Sequence, residues 1–240
     1  MSAYLRSAGF GQLVSDKDFT RTQRDSKLGA HDGVLFDRAL HDIAARVSST
    51  TPTLTVVQTS SSHEPFEVPY SNPRFADNPR ANAFAYTDSC LTAFVGSLRR
   101  LPSWNRTLVV IVPDHWGCWP QGLDPADRHR IPLVLTGGAL AQRGLRIDKT
   151  AMQTDLAATI LAAAGVSCPL TYSRDILDPA TRPVAVFTEP SMIGIVTPAD
   201  TLIYNPDGET VIEASGRTPQ ALIPQARAFM RDISNSMHKL

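Results

Sequence analysis

Apolar positions along the chain switch between helical spacing and short runs rich in β-branched residues. In 32–47 the apolar residues recur at intervals of three and four, which predicts a helix with one buried face. The same spacing predicts helices at 83–99 and at 154–165, and Gly165 ends the second of these. A shorter helix in 2–13 is expected to stop at Gly9.

Four β-rich runs predict strands, at 53–58, 107–112, 131–138 and 183–189. The run TLVVIV at 107–112 is apolar throughout, as in a parallel strand that is covered on both faces. Alternation around Asp207-Gly208 predicts a hairpin over 201–214, with a turn that needs a positive φ at Gly208. A last helix follows, with Pro219 at its first position. Because strands and helices alternate through the middle of the chain, an α/β layer architecture with a mainly parallel sheet is predicted.

Composition excludes several classes of protein. Lys plus Arg and Asp plus Glu both number 23, so a formal net charge of zero gives no support for nucleic-acid or membrane-surface binding. Three widely spaced cysteines match neither a disulfide framework nor a zinc ribbon. The sequence has no apolar run of membrane-spanning length and no signal-peptide pattern at its start. We expect the chain as given to be soluble and without a signal.

Polar side chains with metal-binding or anion-binding chemistry stand next to three of the predicted strands. In open α/β sheets, ligands bind beyond the carboxyl ends of the strands. Asp and neutral His are ligands that suit zinc or manganese. The side chains in question are His63 after the first strand, Asp114 and His115 after the second, and His129 and Arg130 before the third.

Each of these residues also has an ordinary structural interpretation. An Asp-His pair after a strand is most often a loop cap, and His63 after a serine run can cap a helix or face solvent. His129 and Arg130 also fit a solvated basic turn. The sequence pattern alone leaves these alternatives open, although three strand ends carry histidines in a chain that has only 6.

The order of these elements resembles the lipoteichoic acid synthase branch of the sulfatase/alkaline phosphatase superfamily. The stretches that carry the resemblance lie between residue 1 and about residue 178, and they are SDKDF, HDGVLFDRALHDI, TVVQTSSSHEPFEVP, AFAYTDSCLTAFVGSLRRLPSWNRTLVVIVPDH, HRIPLVLTGG and QTDLAATILAAAGV. The resemblance implies a three-layer α/β/α sandwich, alkaline phosphatase-like and N-terminally incomplete, with a small C-terminal antiparallel hairpin. It implies a partial catalytic domain at 1–178, and strands, hairpin and a terminal helix of the same domain at 179–240.

The resemblance also implies roles for the polar side chains at the strand ends. Asp114 and His115 match the family pair that binds one divalent metal, manganese or zinc, with magnesium or calcium also open. His63 matches a histidine that contacts the substrate phosphate, and His129 or Arg130 matches, more loosely, a basic group that faces phosphate or sulfate. Thr59 stands where two-metal relatives carry Asp, which favours the single-metal branch over a mutase.

The function that the resemblance implies is a metal-dependent sulfatase-like hydrolase or a phosphoglycerol transferase acting on a phosphate or sulfate ester. In the family, the Thr, Ser or modified Cys nucleophile lies on strands before the region that matches residue 1. We therefore expect a chain without its nucleophile, from a parent that is membrane-anchored with an extracytoplasmic catalytic domain. The alternative is a non-catalytic α/β fragment or a degenerate paralogue that keeps the fold and binds an anion or metal.

An incomplete sheet has a further expected consequence. The apolar strand at 107–112 would become a sheet edge, and uncovered apolar edges pair readily with other chains. We expect the chain either to self-associate through that edge or to cover the edge with the hairpin at 201–214.

Overall fold

The helical spacing in the sequence is realised as a set of mostly short helices joined by long loops. The structure, a computed structural model, describes residues 2–237. Its α-helices are α1 (Ser2–Ser7), α2 (Asp32–Ala44), α3 (Pro79–Leu98), α4 (Pro125–Arg128), α5 (Asp155–Ala163) and α6 (Ile223–Met237). Its strands are β1 (Val109–Ile111), β2 (Val134–Thr136), β3 (Ala185–Glu189), β4 (Met192–Val196), β5 (Asp200–Asn205) and β6 (Thr210–Gly216). Short 3-10 helices lie at Asp16–Asp18, Pro73–Phe75, Trp104–Arg106 and Pro219–Leu222.

The chain divides into two compact units, Met1–Thr107 and Leu108–Leu240. The expected division of one domain into a catalytic part at 1–178 and a C-terminal part at 179–240 stays a prediction. No helix within residues 2–237 combines the length and the apolar character that a membrane span requires.

Helices α2 and α3 form the core of the first unit. Their buried faces meet at Phe36 and Phe94, whose rings stack with centroids 4.7 Å apart. Both predicted helices are confirmed, but α3 begins earlier than the spacing indicated. The side chain of Asn78 accepts a hydrogen bond from the Ala81 N–H, and Pro79 takes the first helical turn, where it needs no N–H partner.

The predicted strand at 53–58 is wrong. None of the strands formed by residues 2–237 includes this segment. Leu54 and Val56 are 65% and 66% exposed, so the apolar alternation faces outward. A strand needs a neighbour for its backbone N–H and C=O groups, and β-propensity alone supplies none.

In the second unit, β1 and β2 form a two-stranded antiparallel sheet in which Val109 pairs with Thr136 and Ile111 with Val134. Every strand pair within residues 2–237 is antiparallel, so the mainly parallel arrangement is wrong for these strands. An apolar run indicates burial but carries no information on strand direction. The connection from β1 to β2 holds only the four-residue α4, whereas a parallel pair is usually joined by a long crossover helix.

A four-stranded antiparallel sheet in the order β3-β4-β5-β6 packs against the C-terminal helix. Its core is apolar and fully or almost fully buried, and it comprises Ile193, Ile195, Leu202, Tyr204, Leu222 and Ala226. The hairpin expected at 201–214 is confirmed as β5 and β6. It pairs with β4 rather than with β1, so the expectation that it covers the edge of the 107–112 strand is wrong.

The turn of this hairpin does not use Gly208 as expected. The residue with positive φ is Glu209, at 53°. The side-chain oxygen of Asn205 accepts hydrogen bonds from the N–H groups of Asp207 and Gly208, both at 2.9 Å. This side-chain turn supplies the reversal that the sequence pattern attributed to a glycine conformation.

Candidate metal and anion site

The Asp114-His115 pair forms an exposed turn just after β1. The side chains are 83% and 59% exposed, and Asp114 Oδ2 lies 3.8 Å from His115 Nε2. The His115 N–H donates to Asp114 Oδ1 at 2.9 Å, and His115 Nδ1 donates to the Trp116 carbonyl at 2.6 Å. Because Nδ1 carries the ring hydrogen in that bond, Nε2 of the neutral imidazole keeps its lone pair and faces the carboxylate.

One carboxylate oxygen and one imidazole nitrogen that face each other fit a divalent cation such as zinc or manganese. The bond from Nδ1 to a backbone carbonyl fixes the ring tautomer, as it does for most metal-binding histidines. No group of three or more His, Cys, Asp or Glu residues that could hold a metal ion occurs in the part of the chain that the structure describes. The pair therefore fits two positions of a metal shell that needs further ligands.

Gln153 contacts the same turn from the segment that precedes α5. Its Nε2 donates to the carbonyl oxygens of Pro113 and Asp114, at 2.8 and 3.0 Å. No local sequence pattern indicates this contact, because the amide is 40 residues from Pro113 along the chain.

The start of α5 is fixed by a buried ion pair. Asp155 has no exposed surface, and its carboxylate accepts hydrogen bonds from the Met152 N–H at 2.9 Å and from Arg174 Nη2 at 2.7 Å. Arg174 also donates to the carbonyl of Val184, immediately before β3, at 2.9 Å. Sequence reasoning placed Asp155 in a helix but did not assign it this anchoring role.

His129 directly follows α4, and its ring is held by a hydrogen bond and by an aromatic stack. Its Nδ1 donates to the Pro125 carbonyl at 2.8 Å, and its ring stacks on Phe187 with centroids 3.8 Å apart. The Phe187 ring in turn lies over Gly194, where an added Cβ would overlap the ring. His129 Nε2 is 3.6 Å from Glu189 Oε1, so the imidazole has an acidic neighbour.

Arg130, the neighbour of His129, is almost free in solvent. Its side chain is 81% exposed and lies 3.9 Å from Asp127. The structure thus pairs His129 with Glu189 and Arg130 with Asp127. The role of either residue toward a phosphate or sulfate group stays a prediction.

In the first unit, His63 stands exposed at the end of the serine turn. Its Nδ1 donates to the Glu64 carbonyl at 3.0 Å, which leaves Nε2 with a lone pair. The turn before it is held by the fully buried Asp32, whose Oδ1 accepts from the N–H groups of Ser60 and Ser61 at 2.9 and 3.0 Å. His63 belongs to one unit and the Asp114-His115 pair to the other, so their proximity stays a prediction.

Tyr86 and Cys90 lie near this buried carboxylate. Burial is the main cause that raises the pKa of Tyr86 to about 12, and burial also raises the pKa of Cys90. The folded-state pKa of Tyr86 lies above its ordinary value of 10.0. The contribution of the protonated phenol to the stability of the folded state is therefore fully present below pH 10 and is lost as the pH rises toward 12. Both groups therefore remain uncharged at neutral pH.

Known proteins resemble the chain in sequence and in fold. A family model described as Sulfatase matches residues 2–166. A protein of the alkaline phosphatase superfamily from Vibrio parahaemolyticus superposes with a TM-score of 0.80 and 24% identity, over 92% of this chain and 57% of that one. The lipoteichoic acid synthase LtaP from Listeria monocytogenes superposes with a TM-score of 0.64 and 21% identity, over 88% of this chain and 60% of its own. The α/β fold is that of the alkaline phosphatase superfamily, and the chain spans less than two thirds of the length of either relative.

Proposed function

Since the chain belongs to the sulfatase family, we propose that it forms part of a metal-dependent hydrolase or phosphoglycerol transferase that acts on a phosphate or sulfate ester. The observation that carries the proposal is the exposed turn after β1. There a carboxylate oxygen and the lone-pair nitrogen of an imidazole face each other 3.8 Å apart, with the ring tautomer fixed by a backbone carbonyl.

Asp114 and His115 would hold one divalent ion, manganese or zinc, through Oδ2 and Nε2. When bound, such an ion lowers the pKa of an attacking hydroxyl and neutralises charge on the oxygens of the transferred group. His63 would offer Nε2 to an ester oxygen, because its Nδ1 is engaged with the Glu64 carbonyl. His129 and Arg130 would supply further hydrogen-bond donors and positive charge for the anionic substrate.

The complete reaction is proposed for a longer polypeptide. We assign the attacking hydroxyl to no residue of this chain, and the chain covers only 57% and 60% of the two relatives. We propose that the parent protein is membrane-anchored with its catalytic domain outside the cytoplasmic membrane. We also propose that this chain self-associates through the exposed β-rich segment at 53–58.

The second candidate is a non-catalytic domain that binds an anion or a metal. Its support is the same donor set, because two donors suffice for weak binding, whereas a catalytic metal site has three protein ligands and one open position. In residues 2–237 no third His, Cys, Asp or Glu joins them as a cluster. Under this candidate, the fold is retained and no turnover accompanies binding in any longer form of the protein.

Metal binding by the isolated chain tests the site without requiring turnover. We expect Mn²⁺, titrated against the protein and followed by electron paramagnetic resonance, to bind less tightly by about tenfold or more in Asp114→Ala and in His115→Ala. Asp148→Ala is the matched control, since Asp148 is another exposed carboxylate of the second unit, at 77%. The proposed site would be refuted if Asp114→Ala bound Mn²⁺ as tightly as the wild type does and also bound Zn²⁺ as tightly as the wild type does.

A further inference from the structure

The Asp114-His115 turn has few fixed contacts of its own. Strand β1 ends at Ile111, so the ladder to β2 does not reach the turn. The hydrogen bonds of Asp114 and His115 to their own neighbours are local, from the His115 N–H to Asp114 Oδ1 and from His115 Nδ1 to the Trp116 carbonyl. An exposed turn held only by such bonds would sample several arrangements of its side chains.

Gln153 supplies the contact from another element. One amide nitrogen donates to two successive carbonyls, those of Pro113 and Asp114, at 2.8 and 3.0 Å. The orientation of the amide is fixed by chemistry, since both partners are acceptors and only the nitrogen of a glutamine side chain donates. These two hydrogen bonds tie the turn to a segment that lies 40 residues from Pro113 and 39 residues from Asp114 along the chain.

The base from which Gln153 reaches the turn is itself rigid. Asp155 is fully buried, receives the Met152 N–H, and forms two side-chain hydrogen bonds with Arg174, at 3.0 and 2.7 Å. Thr159 fixes the next turn of α5, because its Oγ1 accepts the Ile176 N–H at 3.0 Å. The backbone on both sides of Gln153 is therefore held by buried groups, and its amide can impose a position on the loop.

We propose that Gln153 is a positioning residue that holds the Asp114-His115 turn with carboxylate and imidazole facing one cation. This role rests on the proposed function for the cation itself. The holding of the turn is independent of any ion. Gln153 touches backbone carbonyls only, so it acts through the orientation of the two donors and not as a ligand.

Substitution of Gln153 by methionine tests the proposal, because methionine keeps the length of the side chain and removes both N–H donors. We expect the His115 amide hydrogen to exchange with solvent faster in metal-free Gln153→Met, on the order of tenfold, a factor that corresponds to about 1.4 kcal/mol. We expect Mn²⁺ affinity to fall by a similar factor, with an unchanged melting temperature. Gln142→Met, at an exposed glutamine of the same unit, is the matched control for both measurements.

A donor-preserving variant separates positioning from packing. Gln153→Lys retains N–H donors of similar reach, so we expect it to keep the slow exchange of the His115 amide. Wild-type exchange in Gln153→Met, or fast exchange in Gln153→Lys, would overturn the proposal. If Asp114→Ala leaves Mn²⁺ binding unchanged, the proposed function fails, whereas the metal-free exchange still decides the role of Gln153.

Discussion

Buried and exposed aspartates have different roles in this chain. Asp32 and Asp155 are fully buried, and each receives backbone N–H groups on its carboxylate. Asp114 is 83% exposed and has spare lone pairs. Because a buried carboxylate is stable only when it is fully hydrogen-bonded, the first two are structural. An exposed acid beside a histidine lone pair is the one suited to a cation.

Asp32→Ala is predicted to destabilise the first unit. The substitution leaves the N–H groups of Ser60 and Ser61 without their acceptor and removes the bond from Thr87 Oγ1, which is 2.7 Å long. We expect the free energy of unfolding, measured by urea denaturation, to fall by about 3 kcal/mol. The control is Asp37→Ala, at an exposed position of the same helix. Equal stability of the two variants would contradict the role assigned to Asp32.

At this scale the sequence indicated the exposed residues better than the buried ones. Asp114 and His115 stand out because they directly follow an apolar run. Asp32 and Asp155 look like any acidic residue at the start of a helix. Their partners, such as Thr87 for Asp32 at a separation of 55 residues, are set by the tertiary fold and leave no local pattern.

Helices were predicted better than sheets because the spacing of apolar residues that indicates a helix lies within the helix itself. The spacing of three and four located α2, α3 and α5, the Asn78 side chain caps the start of α3, and Gly165 with positive φ follows the end of α5. Strand partners and directions are not local, so the parallel arrangement and the strand at 53–58 were both wrong. Strand β4 was not predicted. Its central Gly194 has low strand propensity, and the need for it appears only when Phe187 packs over it.

The β3-β4 hairpin makes this cross-strand contact testable. Phe187 pairs with Gly194, and a Cβ at that position would overlap the ring. We expect Gly194→Ala to lower the free energy of unfolding by about 2 kcal/mol and to shift the His129 ring proton resonances, because His129 stacks on the Phe187 ring.

Gly208→Ala is the matched control for this substitution, since a Cβ there meets only ordinary contacts, the nearest at 3.5 Å from Thr210. We expect its stability and its His129 resonances to equal those of the wild type. Unchanged His129 resonances in Gly194→Ala would show that the stack does not depend on the hairpin.

For the whole molecule, the exposed apolar residues of 53–58 predict self-association. Leu54 and Val56 project outward at 65% and 66% exposure from a β-rich segment without a strand partner among residues 2–237. Such a segment offers unpaired backbone and apolar side chains to a second chain. This expectation keeps the sequence-based idea of an exposed edge but moves it from 107–112 to 53–58.

Analytical ultracentrifugation tests this expectation. We predict a concentration-dependent dimer or larger species for the wild type and a monomer for the double variant Leu54→Lys, Val56→Lys, because lysine on an edge opposes strand pairing. Leu145→Lys, at a residue that is 60% exposed, is the control and should associate like the wild type. A wild-type protein that is monomeric at every concentration would contradict the expectation.

The most direct test of the proposed function is to locate the metal. Crystals of the chain soaked separately with Mn²⁺ and with Zn²⁺ would be measured at the absorption edge of each metal. We predict one anomalous peak about 2.1 Å from both Asp114 Oδ2 and His115 Nε2. A peak bound elsewhere on the chain, or none at this turn in either soak, would contradict the claim that the turn after β1 is a metal site.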